Sequence, residues 1–153
     1  MTDGTEPRIV TSAAELISDI GVTIQTITFF NLSAELNEED GATRLEEISP
    51  SYGLRVRSEG NELAVRLATT LEVGLGKIIV DAAITYTLNA DAQYSEEVAL
   101  EFANEVGIMA LLPYVRQAIA DLSQRVFGEI VLMPVMPRGS LRFSVDDRDP
   151  GSV

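Results

Sequence analysis

The sequence contains no cysteine and no histidine, and these two absences exclude several kinds of chemistry. Without cysteine the chain forms no disulfide and has no thiolate nucleophile, and without either residue the usual zinc ligands are missing. Histidine is also the side chain that most often serves as a general acid or base. We therefore expect neither a zinc centre nor imidazole-based catalysis.

Positive charge is scarce as well. The chain carries 11 Lys and Arg against 24 Asp and Glu, which gives a formal net charge of −13, and Lys77 is the only lysine. Proteins that bind nucleic acid contact its phosphates through clustered cations, so this balance argues against nucleic acid as a partner. An acidic surface instead favours solubility and basic partners.

The sequence also lacks the signs of a targeting signal or a membrane span. Residues 1–7 are polar and acidic, unlike the basic and then apolar start of a secretion signal. No uninterrupted run of about 18 apolar residues is present to cross a bilayer. The expected location is the cytoplasm, with no membrane insertion.

Hydrophobic residues, in contrast, make up 46% of the 153 positions, which is enough for one folded domain with its own core. We expect a flexible N-terminal tail at residues 1–10, one domain at 11–145 and a disordered C-terminal tail at 146–153. Ser12 and Glu15 have the spacing of a capping box, which predicts a short helix over residues 13–20.

Alternation of apolar and polar residues predicts four strands, the long strand Val22–Leu36 and shorter ones at 52–56, 63–73 and 78–88. Along the first strand, strict alternation puts Ile27 and Phe29 on the more polar face. The opposite face then carries Val22, Ile24, Thr26, Thr28, Phe30, Leu32, Ala34 and Leu36.

Apolar residues at helical spacing follow the strands. Ser95 is the expected N-cap, and Pro113 either kinks one long helix or begins a second one before Gly128 ends it. The apolar stripe consists of Val98, Phe102, Val106, Met109, Val115, Ile119, Leu122 and Val126. The predicted fold class is therefore α+β, a four-stranded antiparallel sheet with one face covered by a long helix.

No catalytic constellation emerges from these elements. Gly74-Leu75-Gly76-Lys77 departs from a phosphate loop because Ile78 stands where Ser or Thr is required, so we interpret it as a hairpin turn. Neighbouring carboxylates such as Glu96 and Glu97 lack the apolar pocket that separates two pKa values for acid–base work. We expect a protein that is not an enzyme, with no catalytic residue, metal site or cofactor.

Several motifs together resemble one known family. Leu112-Pro113-Tyr114-Val115-Arg116 is followed by Ser123, Arg125 and Leu132-Met133-Pro134-Val135. In this order and spacing they resemble the long-helix start, the serine, the arginine and the Pro-Val loop of the SecB-type protein-export chaperones, and the resemblance covers roughly residues 22–137. Residues 136–140 break any helix where export-type chains have a second one, which favours a divergent SecB-like member.

The resemblance implies a function and an assembly. It implies an ATP-independent holding chaperone that binds non-native polypeptides in exposed hydrophobic grooves, either unfolded preproteins for export or a specific aggregation-prone client such as an antitoxin. It also implies a homotetramer built as a dimer of dimers, in which the first strands pair between protomers, with SecA as a further partner of the export type.

Three sets of site residues follow from the patterning and the resemblance. The client-binding set is Tyr52, Leu54, Val56, Leu111, Leu112, Tyr114, Val131, Met133, Val135 and Met136. The set that resembles the SecA dock is Glu35, Ile79 and Asp81, although Asn31 stands where the family has an aspartate. The oligomer-interface set is Ile24, Ile27, Phe29, Val115, Ile119, Leu122 and Val126.

Each set has an alternative interpretation. Apolar stripes usually face inward, so the client-binding residues are core residues in the alternative, and the dock is an ordinary solvated sheet face. The stripe from Val115 to Val126 lies either under its own sheet or between dimers. An alternative of a different class is a non-chaperone acidic oligomeric scaffold, or protein-interaction module, with closed grooves.

Overall fold

A four-stranded antiparallel sheet carries the rest of the chain, and its strands lie side by side in the order Val22–Leu36, Gly76–Leu88, Glu62–Val73 and Ser49–Glu59. The structure is a computed structural model that describes residues 6–38, 48–133 and 139–144. The sheet strands are β2 (Val22–Leu36), β3 (Ser49–Glu59), β4 (Glu62–Val73) and β5 (Gly76–Leu88). The predicted fold class is confirmed, and β2 has the predicted bounds, whereas the other three strands are longer than predicted.

The inner face of the sheet is apolar and covered by helix. On β4 every second residue from Leu63 to Val73 is buried, and the residues of β5 that pair with them, from Ile78 to Tyr86, are buried too. Paired residues of neighbouring strands point to the same side, so these two strands form the floor of the core.

Two β-bulges in β2 overturn the predicted division of its two faces. The register shifts between Ile24 and Thr26 and again between Phe29 and Asn31. Each extra residue inverts the alternation, so strict period-two counting fails between the two bulges and holds again after the second. The residues that pair with alternate β5 positions from Gly76 to Leu88, and thus lie on the inner face, are Val22, Ile24, Ile27, Phe29, Leu32, Ala34 and Leu36. Thr26 and Thr28 face outward instead.

One helical run, Glu96–Phe127, crosses the inner face. It comprises α2 (Glu96–Phe102), a π-helical turn (Ala103–Gly107) and α3 (Ile108–Phe127). Ser95 caps it by accepting the Val98 N–H at 3.3 Å, and Gly128 ends it in the left-handed conformation, both as predicted. Pro113 lies inside α3, so the alternative of a second helix beginning there is wrong.

The helix approaches the sheet most closely at Gly107. A Cβ atom at this position would lie 2.6 Å from Cγ2 of Val65 on β4, closer than two side chains can pack. Only glycine allows this separation, so Gly107 sets the height of the helix above the core strands.

The N-terminal part of the domain begins earlier than the sequence indicates. The two-residue strand β1 (Arg8–Ile9) pairs in parallel with β6 (Ala92–Gln93), and Val10 is buried. The predicted tail of residues 1–10 is therefore too long, because residues 8–10 take part in the fold. The helix that follows, α1 (Ala13–Glu15) with a π-helical continuation (Leu16–Ile20), has the predicted bounds and the predicted Ser12 cap.

The continuous helix has the length and composition of a membrane span. Its 32 residues include an 18-residue window of mean hydropathy 1.4, of which 61% is buried inside the fold. Glu101 and Glu105 interrupt its apolar residues, so the sequence has no unbroken apolar run at this place. A helix buried in a domain core has the same length and hydropathy, so this feature is weak evidence for a membrane.

Tyr86 on β5 gives a prediction about stability. Its ring packs edge-on against Phe102 at 5.0 Å, and its buried hydroxyl has no hydrogen-bond partner among residues 6–38, 48–133 and 139–144. Burial raises the pKa of Tyr86 to about 12. Because the unfolded chain ionises first, near pH 10, this tyrosine lowers stability progressively as pH rises from about 10 to about 12.

We therefore expect Tyr86→Phe to leave stability at pH 7 unchanged or to raise it by about 1 kcal/mol, since an unpaired buried hydroxyl is lost. Urea unfolding at pH 7 and at pH 11 measures this effect. The variant should lose less stability than the parent chain between the two pH values. A parallel loss in both proteins would contradict the assignment.

Candidate functional site

Five of the ten predicted client-binding residues lie in the core of the protomer. Val131 and Met133 are buried, as are Leu54, Leu111 and Leu112, which are at most 1% exposed. Their side chains fill the space between sheet and helix, so within a protomer they are core residues and offer no open groove. The core alternative therefore holds for these five. Val135 and Met136 lie outside the described residues.

Three members of that set remain accessible. Tyr114 is 49% exposed on α3, and Tyr52 and Val56 are half-buried on β3. Burial raises the pKa of Tyr52, with the Arg116 charge lowering it to a smaller extent, so Tyr52 is a neutral phenol at physiological pH. Tyr52 and Val56 also pack against the core cluster, so only part of each side chain is accessible.

Two neighbouring clefts lie where α2 begins. One of about 270 Å³ is lined by Val56, Tyr94 and Ala99 among others, and one of about 490 Å³ shares Tyr94 and includes Ile9. The Tyr94 and Ser58 hydroxyls lie 2.6 Å apart and join β3 to the start of the helix. No local signal in the sequence marks Tyr94 as a cleft residue.

Several exposed large apolar side chains lie on β2. Ile24, Phe29, Leu32 and Leu36 point to the inner side of the sheet, yet each is between 40% and 54% exposed. β2 is also an edge strand, because it pairs only with β5 among the strands that the structure describes. We call these four side chains the β2 apolar row. Two of them, Ile24 and Phe29, belong to the predicted oligomer interface, and the third predicted strand residue, Ile27, packs against the core.

The predicted oligomer-interface residues on the helix are more buried than those on β2. Val115 and Ile119 are fully buried beneath the sheet of their own protomer, while Leu122 and Val126 are half-buried. Of the two alternatives for this stripe, burial under its own sheet is correct for Val115 and Ile119. They are therefore removed from the predicted interface.

Two buried polar side chains hold the chain that follows the helix. The Ser123 hydroxyl accepts the Val131 N–H at 2.8 Å and donates to the Ala120 carbonyl at 3.0 Å. The Asn104 carboxamide accepts the Phe143 N–H at 2.9 Å and donates to the Phe143 carbonyl at 2.8 Å. Val131 thus contacts the helix near its end, and Phe143 contacts it near its start.

The predicted SecA dock lies on the outer face of the sheet. Glu35 is exposed, while Ile79 and Asp81 are half-buried. Asp81 accepts two hydrogen bonds from Arg66, at 2.7 and 2.9 Å, and the Arg66 guanidinium lies 3.9 Å from the ring centre of Phe30. Its hydrogen bonds to Asp81 raise the pKa of Arg66. The acidic charge at Asp81 is thus largely balanced within the protomer, which the sequence did not indicate.

Comparison with known proteins adds to this geometry. No family model matches the chain. The SecB-like chaperone SmegB of Mycolicibacterium smegmatis is 27% identical over 111 residues, which cover 71% of this chain and 76% of SmegB. The Mycobacterium tuberculosis SecB-like chaperone Rv1957, solved in complex with a ChAD peptide from the HigA1 antitoxin, superposes with a TM-score of 0.71. That match is 16% identical in sequence and covers 82% of this chain and 97% of Rv1957.

The Ser123 contact gives a prediction about the segment after the helix. Ser123→Ala leaves the buried Val131 N–H without an acceptor, which we expect to cost about 1–3 kcal/mol of unfolding free energy. Ser18 is a matched control, because it also bonds back to a helical carbonyl, Ala14 at 2.8 Å, but is exposed. Ser18→Ala should cost less than about 0.5 kcal/mol. Equal losses in urea unfolding would show that the Val131 contact contributes nothing.

Proposed function

We propose that this chain, which is a divergent member of the SecB-like proteins, is a holding chaperone that binds non-native polypeptides and prevents their aggregation. Binding uses apolar contacts and needs neither ATP nor a cofactor, and no covalent step takes place. The proposed location is the cytoplasm, without membrane insertion or nucleic acid. The similarity to the two SecB-like chaperones supports this class of function over an enzyme.

The observation that carries the proposal is the β2 apolar row. A soluble protein seldom leaves several large side chains exposed side by side, and such a surface marks an interaction site. Each apolar side chain of a client that becomes buried contributes at most about 1.5–3 kcal/mol. Several weak contacts along one client chain, repeated over protomers, give tight binding with little selectivity. Folded proteins bury such stretches and are ignored.

The exposed edge of β2 supports assembly as well. On the side away from β5, its N–H and C=O groups pair with no other strand that the structure describes, and such groups favour pairing with the same strand of a second copy. Edge pairing uses main-chain groups, whereas the β2 apolar row stands perpendicular to the sheet. One strand can therefore serve a dimer through its edge and a client through its inner face. A dimer of dimers would then place several such rows in one particle.

Two classes of client fit this surface. The M. tuberculosis relative is bound to a peptide from an antitoxin, which favours a specific aggregation-prone client of this kind. Unfolded preproteins are the second class. The net charge of −13 favours basic segments in either case.

A closed scaffold without chaperone activity is the competing function. The complete burial of Leu54, Leu111 and Leu112 favours it, because the predicted groove is packed solid at these positions. The two functions differ in what the β2 apolar row does, since in a scaffold it only joins copies of the chain.

The first test measures whether the purified protein suppresses aggregation of a chemically denatured test protein at stoichiometric ratio without ATP. We expect suppression by the parent chain and a several-fold weaker effect in the double variant Phe29→Ser, Leu32→Ser, because two apolar contacts per protomer are lost. No suppression by a folded parent chain would favour the scaffold.

The matched control for this experiment lies on the opposite face of the same strand. Thr28 and Asn31 pair with Ala83 and Asp81 and face outward, so Thr28→Ser, Asn31→Ser should retain full activity. Analytical ultracentrifugation of both variants separates loss of client binding from loss of assembly. Equal activity of the two double variants would argue against the β2 apolar row as the client surface.

SecA binding through Glu35, Ile79 and Asp81 remains part of the proposal for an export role. If this face is the dock, Asp81→Arg should abolish SecA binding. Because Asp81 is paired with Arg66, the charge-reversed double variant Arg66→Asp, Asp81→Arg is the necessary control. Loss in both variants, measured by titration calorimetry, would support recognition of Asp81 itself. Binding restored in the double variant would mean that only the ion pair matters, and unchanged binding in Asp81→Arg would exclude the dock.

A further inference from the structure

The contact between Asn104 and Phe143 has the form of peptide recognition. A carboxamide that pairs with both the N–H and the C=O of one residue binds that residue as a neighbouring strand would, through main-chain groups alone. Asn104 is a buried polar residue, only 7% exposed, so both bonds form in a largely dry environment. Such a contact is independent of the identity of the bound residue.

The side chains around this contact complete a site for an extended segment. Leu141 and Phe143, two positions apart, both pack against the core cluster, while Ser140, Arg142 and Ser144 are exposed. Alternate inward and outward side chains are the pattern of an extended chain lying on an apolar surface. Arg142 also reaches Glu105, at 3.1 Å, next to Asn104 on the π-helical turn.

We propose that the surface around Asn104 is a binding site for an extended polypeptide, occupied in this structure by the chain's own residues 139–144, which a client displaces. The inference rests on the proposed chaperone function for the identity of the competitor, an extended stretch with apolar residues at positions i and i+2. Asn104 contributes main-chain recognition, so the site selects an unfolded backbone rather than a sequence.

Occupation of the site by the chain's own residues 139–144 has a physical advantage for a chaperone. The empty site would leave an apolar surface exposed to water, which is costly. A tethered segment is present at an effective concentration in the millimolar range, so it excludes weak competitors and yields to a client that makes additional contacts elsewhere, such as on the β2 apolar row.

The test uses a fluorescein-labelled peptide with the sequence of residues 139–144, Gly-Ser-Leu-Arg-Phe-Ser, and full-length protein. In Phe143→Asp the tethered segment is weakened, so we expect the peptide to bind at least tenfold more tightly than to the parent chain, measured by fluorescence anisotropy. Ser140→Asp adds the same charge to the same segment at an exposed position and should bind the peptide like the parent chain. Equal binding to all three proteins would overturn the proposal.

Asn104 is tested in the Phe143→Asp background. Adding Asn104→Ala removes both main-chain hydrogen bonds and should weaken peptide binding by roughly tenfold or more. Unchanged affinity would overturn the role of Asn104. Circular dichroism checks that each variant is folded.

A second measurement needs no variant. Hydrogen exchange of the Phe143 amide in the parent chain should accelerate when the peptide is added in large excess, because the protecting bond to Asn104 is released. Constant protection under conditions where the peptide binds would exclude displacement.

Aggregation assays on the same proteins distinguish this inference from the proposed function. Peptide binding without suppression of aggregation would leave the site in place and refute the chaperone. Suppression of aggregation by the parent chain, together with no competition between the peptide and residues 139–144, would support the chaperone function and refute the site around Asn104.

Discussion

The close approach of Gly107 to Val65 is the contact on which the arrangement of the whole domain depends. It holds the helix directly on β4, with α2 in contact with β3 and α3 in contact with β5 and β2. A helix is about 10 Å wide, whereas four strands span about 15–20 Å and β2 alone is about 50 Å long. One helix therefore cannot cover the inner face, and everything beside it has to be covered by other segments or left exposed.

The uncovered areas on the two sides of the helix are treated differently. On one side α1 packs on α2, with the Ala13 N–H donating to Glu101 at 3.2 Å. The chain that returns after α3 is fastened to the helix by Ser123 and then by Asn104. At the outer edge, the β2 apolar row has no such cover within the part of the chain that the structure describes. The surface around Asn104 is thus covered by the chain's own segment, whereas the β2 apolar row stays accessible to partners.

The hydrogen bonds of the buried Ser123 and Asn104 side chains and the two bulges in β2 share one physical role. Each fixes the position of a chain segment. A hydrogen bond from a buried side chain to a main-chain group contributes modest net stability, but the same group left unpaired is costly, so the chain is held at one place. The bulges act on β2 in a comparable way, because they turn Ile27 and Phe29 to the inner side and Thr26 and Thr28 to the outer side. Both devices determine which apolar side chains stay accessible.

Local signals in the sequence were sufficient to predict the four sheet strands and the helices, but not the short strands β1 and β6. The bounds of β2, the caps at Ser12 and Ser95 and the helix end at Gly128 were predicted because each depends on neighbouring residues. The resemblance of the helix motif to SecB-type chaperones indicated the family. Only the tertiary structure decided that Leu54, Leu111 and Leu112 are core, that Asp81 is paired with Arg66, and that Asn104 holds Phe143. Apolar patterning predicts that a side chain is buried. Strand register and the path of the helix decide which residues it packs against.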